Sequence, residues 1–118
     1  MAKEPHTKTI AALNDLCHRA MGGAGRVYQT SGISALPPAD QSAIREKVET
    51  FDAFTPDNDP YGERDFGAFE HNGERIFWKI DYYDLTMTYG SEDPSDPNQT
   101  VRVLTIMLAS AADHARAG

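Results

Sequence analysis

A single cysteine, Cys17, leaves the chain without a disulfide framework or a cysteine-based zinc site. No stretch approaches the roughly eighteen apolar residues of a membrane span, and residues 1–8 lack the apolar run of a signal peptide. These absences predict a cytoplasmic protein. Bases are scarce as well: eleven Lys and Arg face eighteen Asp and Glu, for a formal net charge of −7. The deficit is local. Residues 52–96 hold twelve acids and three bases, a balance of −9, so the rest of the chain sums to +2. Such a field repels phosphate backbones, which argues against direct nucleic-acid binding and favours cations or partners with basic surfaces. The plainer reading of the same charge is a solvated, solubilising face.

At 118 residues and 40% hydrophobic content the chain suits one core, so residues 1–118 read as a single domain with frayed ends at about 1–6 and 113–118. Ile10, Leu13, Leu16, Cys17 and Ala20 recur at helical spacing, with Thr7 as N-cap and Gly22, Gly23 and Gly25 closing the helix. Residues 26–30 suit a strand, and residues 31–36 a short helical turn. Pro37 and Pro38 then open a second helix, with Ile44, Val48 and Phe51 as its buried stripe.

Asn72-Gly73 suits a type I′ turn and centres a β-hairpin. That register pairs Glu70 with Arg75, Phe69 with Ile76, Gly67 with Trp78 and Arg64 with Asp81. One face then carries Phe69, Ile76, Trp78, Ile80 and Tyr82, and the other Phe66, Phe77, Lys79, Asp81 and Tyr83. Leu85, Met87 and Tyr89 continue the alternation and predict a further strand or a bent extension. Asp96, Pro97 and Gln99 read as the start of a last helix running to about Ala112, apolar on several sides and suited to the fold centre or to a homodimer contact. The expected fold is α+β: about three helices on a small, mainly antiparallel sheet.

Residues 57–65 pack Asp57, Asp59, Glu63 and Asp65 together beside the hairpin. Oxygen-rich clusters suit Mg or Ca, and Asp57, Asp59 and Gly62 match the first, third and sixth positions of a calcium loop. Tyr61 and Ala68 fall at the fifth and twelfth, so an EF-hand does not fit. The bland alternative is that Asp and Asn side chains bond their own backbone and shape the loop with no ligand. Asp81, Tyr82, Tyr83 and Asp84 end the second hairpin strand near that loop. With no nucleophile evident, and His6, His18, His71 and His114 scattered, these residues read as partner contacts rather than catalysts. Together with Tyr61 they form the candidate partner-binding set. The alternative is a metal-dependent hydrolase with Asp57, Asp59, Glu63 and Asp65 as ligands.

The segments Phe54-Thr55-Pro56-Asp57-Asn58-Asp59-Pro60, Gly62-Glu63, Asp65-Phe66-Gly67 and Phe77-Trp78-Lys79-Ile80-Asp81-Tyr82-Tyr83-Asp84 resemble an uncharacterised bacterial domain family, largely alphaproteobacterial and often plasmid-borne. The resemblance covers about residues 30–109 and departs from the family pattern where Ser110 leads into Ala111-Ala112. It implies no established activity. Carriage on mobile DNA implies, by analogy, a small acidic interaction protein that occupies a basic nucleic-acid-binding surface of a host protein, as anti-defence and anti-CRISPR inhibitors do.

Overall fold

The computed structural model describes residues 3–21 and 25–109, with side chains from residue 6 onward. The order is α1 (Lys3–Arg19), β1 (Arg26–Gln29), α2 (Ser31–Ser34), α3 (Pro38–Glu49), β2 (Phe66–His71), β3 (Glu74–Tyr83) and β4 (Val101–Leu108). The strands form one mixed sheet in the order β1-β4-β3-β2, antiparallel except for the parallel β1–β4 pair. Among the described residues the fold is α+β, three helices on a four-stranded sheet. Among the described residues no helix is long and apolar enough to cross a membrane.

The hairpin forms as its turn dipeptide dictates. Asn72 and Gly73 take φ of 51° and 79°, the left-handed pair a type I′ turn needs. Phe69 lies opposite Ile76, Glu70 opposite Arg75 and Gly67 opposite Trp78. Gly67 is required there, since a Cβ would lie 2.2 Å from the indole Nε1. The expected pairing of Arg64 with Asp81 is wrong. The ladder ends with Ile80 N–H donating to Asp65 O at 2.8 Å. Arg64 then turns away at φ 56°, because the Asp59 carboxylate binds its amide at 3.1 and 3.2 Å. Asp81 instead meets Lys79 on its own strand at 3.3 Å.

The core lies on one face of the sheet, where Ile76, Trp78, Ile80, Leu104 and Ile106 meet Cys17, Ile33, Ile44, Val48 and Phe51 from the helical side. Pro38 stands at the start of α3 as expected, and Ile44 and Val48 are fully buried. Helix α1 departs from its hydropathy. It begins at Lys3, so Thr7 lies inside it and is not its cap. Among its described side chains Ile10, Asn14, Cys17 and His18 are buried, whereas Leu16 is 57% exposed. Gly22 and Gly23, assigned as helix terminators, lie outside the described residues, as do Ala111 and Ala112.

Two expectations after β3 are overturned. Leu85, Met87 and Tyr89 extend no strand: Asp84 Oδ1 accepts from Thr86 Oγ1 at 2.9 Å and from the Thr88 amide at 3.0 Å, folding the chain back to a lone bridge between Tyr83 and Gly90. The last helix is a strand. Its start signals do form locally, for Asp96 carboxylate oxygens accept from the Asn98 amide and from Gln99 Nε2, each at 2.9 Å. The turn is not propagated. Val101, Val103, Thr105 and Ile106 are β-branched, and the apolar run at 101–108 fills a central strand flanked on both sides, β4, which needs apolar residues on both faces. A homodimer through a C-terminal helix therefore loses its element.

Candidate functional site

Because β2 and β3 run antiparallel, the segment entering β2 and the segment leaving β3 lie at one end of the sheet. Residues 57–65 and 84–96 together hold eight acids and one base, Arg64. The expected site residues converge on this end but divide into an outer and an inner group.

The outer group faces solvent. Asp57 is exposed, as are Tyr61 at 80%, Leu85 at 62% and Tyr89 at 73%. The Asp84 carboxyl is held below its ordinary range, first by the Thr88 amide and also by Thr86 and Tyr89. Asp93 is lowered in the same way, chiefly by the Ser95 hydroxyl and amide. These carboxylates act first as loop staples, as side chains bonding their own backbone do. Asn58 does the same, accepting from the Thr55 amide at 3.0 Å and donating to Ala53 O at 3.1 Å.

The inner group is a part-buried polar network built around the buried Asn14 and Arg102. Tyr82 is half-buried and turned toward α1: its hydroxyl donates to Glu63 Oε1 at 2.8 Å and accepts from Asn14 Nδ2 at 2.8 Å. Asn14 Nδ2 also donates to Glu63 O at 2.9 Å, and Asn14 Oδ1 accepts from Arg102 Nε at 2.7 Å. Arg102 can only donate, so its contact sets the orientation of the Asn14 amide. Its guanidinium also donates to Pro94 O and lies 5.2 Å from the Tyr82 ring centroid. Burial pushes the Tyr82 hydroxyl far above its ordinary range and draws Arg102 below its own. Burial likewise raises the Cys17 thiol to about 11, against the opposing pull of Arg102. Asp65 is raised by burial first, then by the neighbouring charge of Glu63.

His18 sits fully buried beside this network. Its Nδ1 faces Val48 O at 2.9 Å, its Nε2 faces Asp15 Oδ1 at 3.2 Å, and its ring stacks on Trp78 with centroids 4.8 Å apart. Both partners are acceptors, and a ring with one N–H satisfies only one of them. Arg64 Nε lies 3.0 Å from the same Asp15 oxygen, close enough for an ion pair but out of line for a hydrogen bond.

Sequence reasoning missed Asn14, His18 and Arg102. The available signal was polar residues at i and i+4 interrupting the apolar stripe of α1, and one arginine inside the apolar run at 101–108. The expected pair Tyr82 and Tyr83 is split across the sheet, since Tyr83 and Asp81 point to the face away from the core. Asp57, Asp59, Glu63 and Asp65 do not converge as ligands either. Asp59 holds the Arg64 amide and Glu63 holds Tyr82. Among the described residues no three His, Cys, Asp or Glu side chains group as a metal site.

No curated protein and no solved structure matches the chain. A family profile matches residues 29–111, which takes in everything from the end of β1 to beyond β4. The chain belongs to the family described as "Protein of unknown function (DUF3768)".

Proposed function

We propose that this protein is a non-enzymatic interaction module whose acidic sheet end binds a partner with a basic surface. The observation that carries the reading is the coincidence of charge and exposed apolar area: Tyr61, Leu85 and Tyr89 stand out of two loops that hold eight acids and one base. Rigid aromatic anchors ringed by charge are what protein interfaces use, with charge steering the encounter and the rings supplying buried area. A nucleic-acid-binding face on the partner suits this surface, and an inhibitor of the anti-defence or anti-CRISPR type would act by covering it. The proposed contact set is Asp57, Tyr61, Asp84, Leu85 and Tyr89. Asp59, Glu63, Asp65 and Tyr82 shape it from within.

The test is capture of binders from a bacterial lysate on the immobilised protein, followed by competition of the captured protein against duplex DNA. The expected result is DNA displacement that weakens with salt and is lost when Tyr61 and Tyr89 are both changed to Ala. Binding indifferent to salt and to those changes overturns the reading. So does a cation-specific rise in the unfolding midpoint with Mg or Ca that Asp59→Ala abolishes, since a native-state ligand stabilises by mass action.

A further inference from the structure

Strand β2 closes one side of the sheet, in the order β1-β4-β3-β2, so half of its backbone groups have no strand beside them. Which half follows from the hairpin. The two-residue turn at Asn72-Gly73 makes His71 and Glu74 a hydrogen-bonded pair, and the alternation of an antiparallel ladder extends this to Phe69 with Ile76 and Gly67 with Trp78. The bond from Ile80 N–H to Asp65 O at 2.8 Å keeps the same phase. Phe66, Ala68 and Glu70 therefore direct their amides and carbonyls outward. Among the described residues one hydrogen bond meets this edge, from Lys47 Nζ to Glu70 O at 3.0 Å.

An open edge of this kind is a template for a further strand, and a lysine laid across it limits that pairing. Lys47 guards the Glu70 end, where its ammonium also lies 3.2 Å from His71 Nδ1 and 5.8 Å from the Phe69 ring centroid. Among the described residues no such cap stands at Phe66 and Ala68. Phe66 adds a ring on the sheet face away from the core, its centroid 5.4 Å from that of Phe77. Charge selects what can add here. Residues 57–65 lead straight into this end with four acids and one base, and that base, Arg64, is engaged by Asp15 at 3.0 Å. Glu70, at the other end, is exposed. The same charges disfavour a second copy, because pairing two β2 strands antiparallel about Ala68 sets Glu70 of each beside the acidic entry of the other.

We propose that the β2 edge is a strand-addition site, and that its occupant is an extended basic segment of the partner, hydrogen-bonded to the backbone of Phe66, Ala68 and Glu70. Main-chain bonds supply affinity there, and the acids of residues 57–65 select lysine or arginine side chains. The proposal rests on the reading of the acidic sheet end as a site for a basic partner, and it adds the backbone conformation that such a partner brings. Displacement of Lys47 lengthens the ladder by Glu70 O.

The probe is a short end-capped peptide of alternating lysine and valine, added to the full-length protein and followed by amide hydrogen exchange and light scattering. A second peptide of the same sequence, N-methylated at every peptide bond, keeps the charge and loses the donors. With the first peptide at ten times its Kd, exchange at Phe66, Ala68 and Glu70 is expected to slow about 10-fold, and with the second to stay unchanged. Lys47→Ala binds the first peptide more tightly. Ala68→Pro, whose missing amide points away from β3, folds and shows no slowing at Phe66 and Glu70. Should Ala68→Pro fail to fold, the methylated peptide decides. Equal effects of the two peptides overturn strand addition, and so does a failure of the first to bind. Binding that slows only the amides of residues 57–65 and 84–89 overturns it while leaving the acidic surface as a partner site, which DNA displacement judges separately. A doubled mass without peptide makes a second copy the occupant and overturns it as well.

Discussion

Glu63 and Asp57 belong to the same acidic loop, yet one is bound into a network and the other is left to solvent. Glu63 takes the Tyr82 hydroxyl on its carboxylate and the Asn14 amide on its carbonyl, while Asp57 stands exposed. The same division separates Tyr82, turned under α1, from Tyr61, which is 80% exposed. One end of the sheet thus carries two layers built from the same residue types. The inner layer is committed to holding α1 and the loop together, and the outer layer is available to a partner. Composition cannot distinguish them, because what differs is whether a neighbour supplies a donor.

Two distinct layers must respond differently to substitution. The largest expected difference is at Asn14. Asn14→Ala removes an acceptor from Arg102 and a donor from both Tyr82 and Glu63 and lowers stability by about 3 kcal/mol, whereas Asp57→Ala stays within about 0.5 kcal/mol, both read from urea denaturation. Next comes Gly67→Ala, whose Cβ would meet the Trp78 indole at 2.2 Å, at a cost of about 2 kcal/mol by the same measurement. The core answers to volume there, and an exposed glycine such as Gly73, with nothing near its missing Cβ, is limited only by its positive φ.

A chemical probe sharpens the same division. The Cys17 thiol, buried and raised to about 11, reacts with a disulfide reagent far more slowly in the native protein than in urea. Its residual native rate reports how often the core around it opens. A native rate equal to that in urea would show that α1 does not shield the inner layer.

The smallest effects are in pH dependence, where the layers run in opposite directions. Asp65 is raised in the fold, so its ionised form costs stability at neutral pH. As pH falls through its folded value it takes up a proton before the unfolded chain does, and that cost disappears. Asp65→Asn accordingly raises the thermal midpoint at pH 7 and loses its advantage below the ordinary carboxylate range. Asp84 and Asp93 are lowered, so their contribution is complete above the ordinary carboxylate range and is lost as pH falls through their folded values. Asp84→Ala shallows the acid limb of the midpoint-against-pH curve. An Asp65→Asn midpoint that falls at pH 7 would place Asp65 in the outer layer.

Much of the architecture could be read from local chemistry. Asn72-Gly73 determined the hairpin and its register because only that turn admits two left-handed residues in a row. Pro37 and Pro38 determined where α3 begins, since proline costs nothing where no helical amide is bonded. The acidity of residues 57–65 and 84–96 was likewise plain, and so was the room that Gly67 leaves for Trp78. Features that depend on a distant partner were settled by packing instead. Residues 101–108 satisfy both a helix and a central strand in isolation, and β1 and β3 on either side chose the strand. Asn14 and His18 count against burial on any hydropathy scale, and Arg102, Tyr82 and the Val48 carbonyl made their burial favourable. Arg64 left the ladder because Asp59 took its amide. Periodicity and turn residues act through neighbours in sequence, so they are legible there. Hydrogen-bond satisfaction acts between residues as far apart as Asn14 and Arg102, and it exists only once the chain has folded.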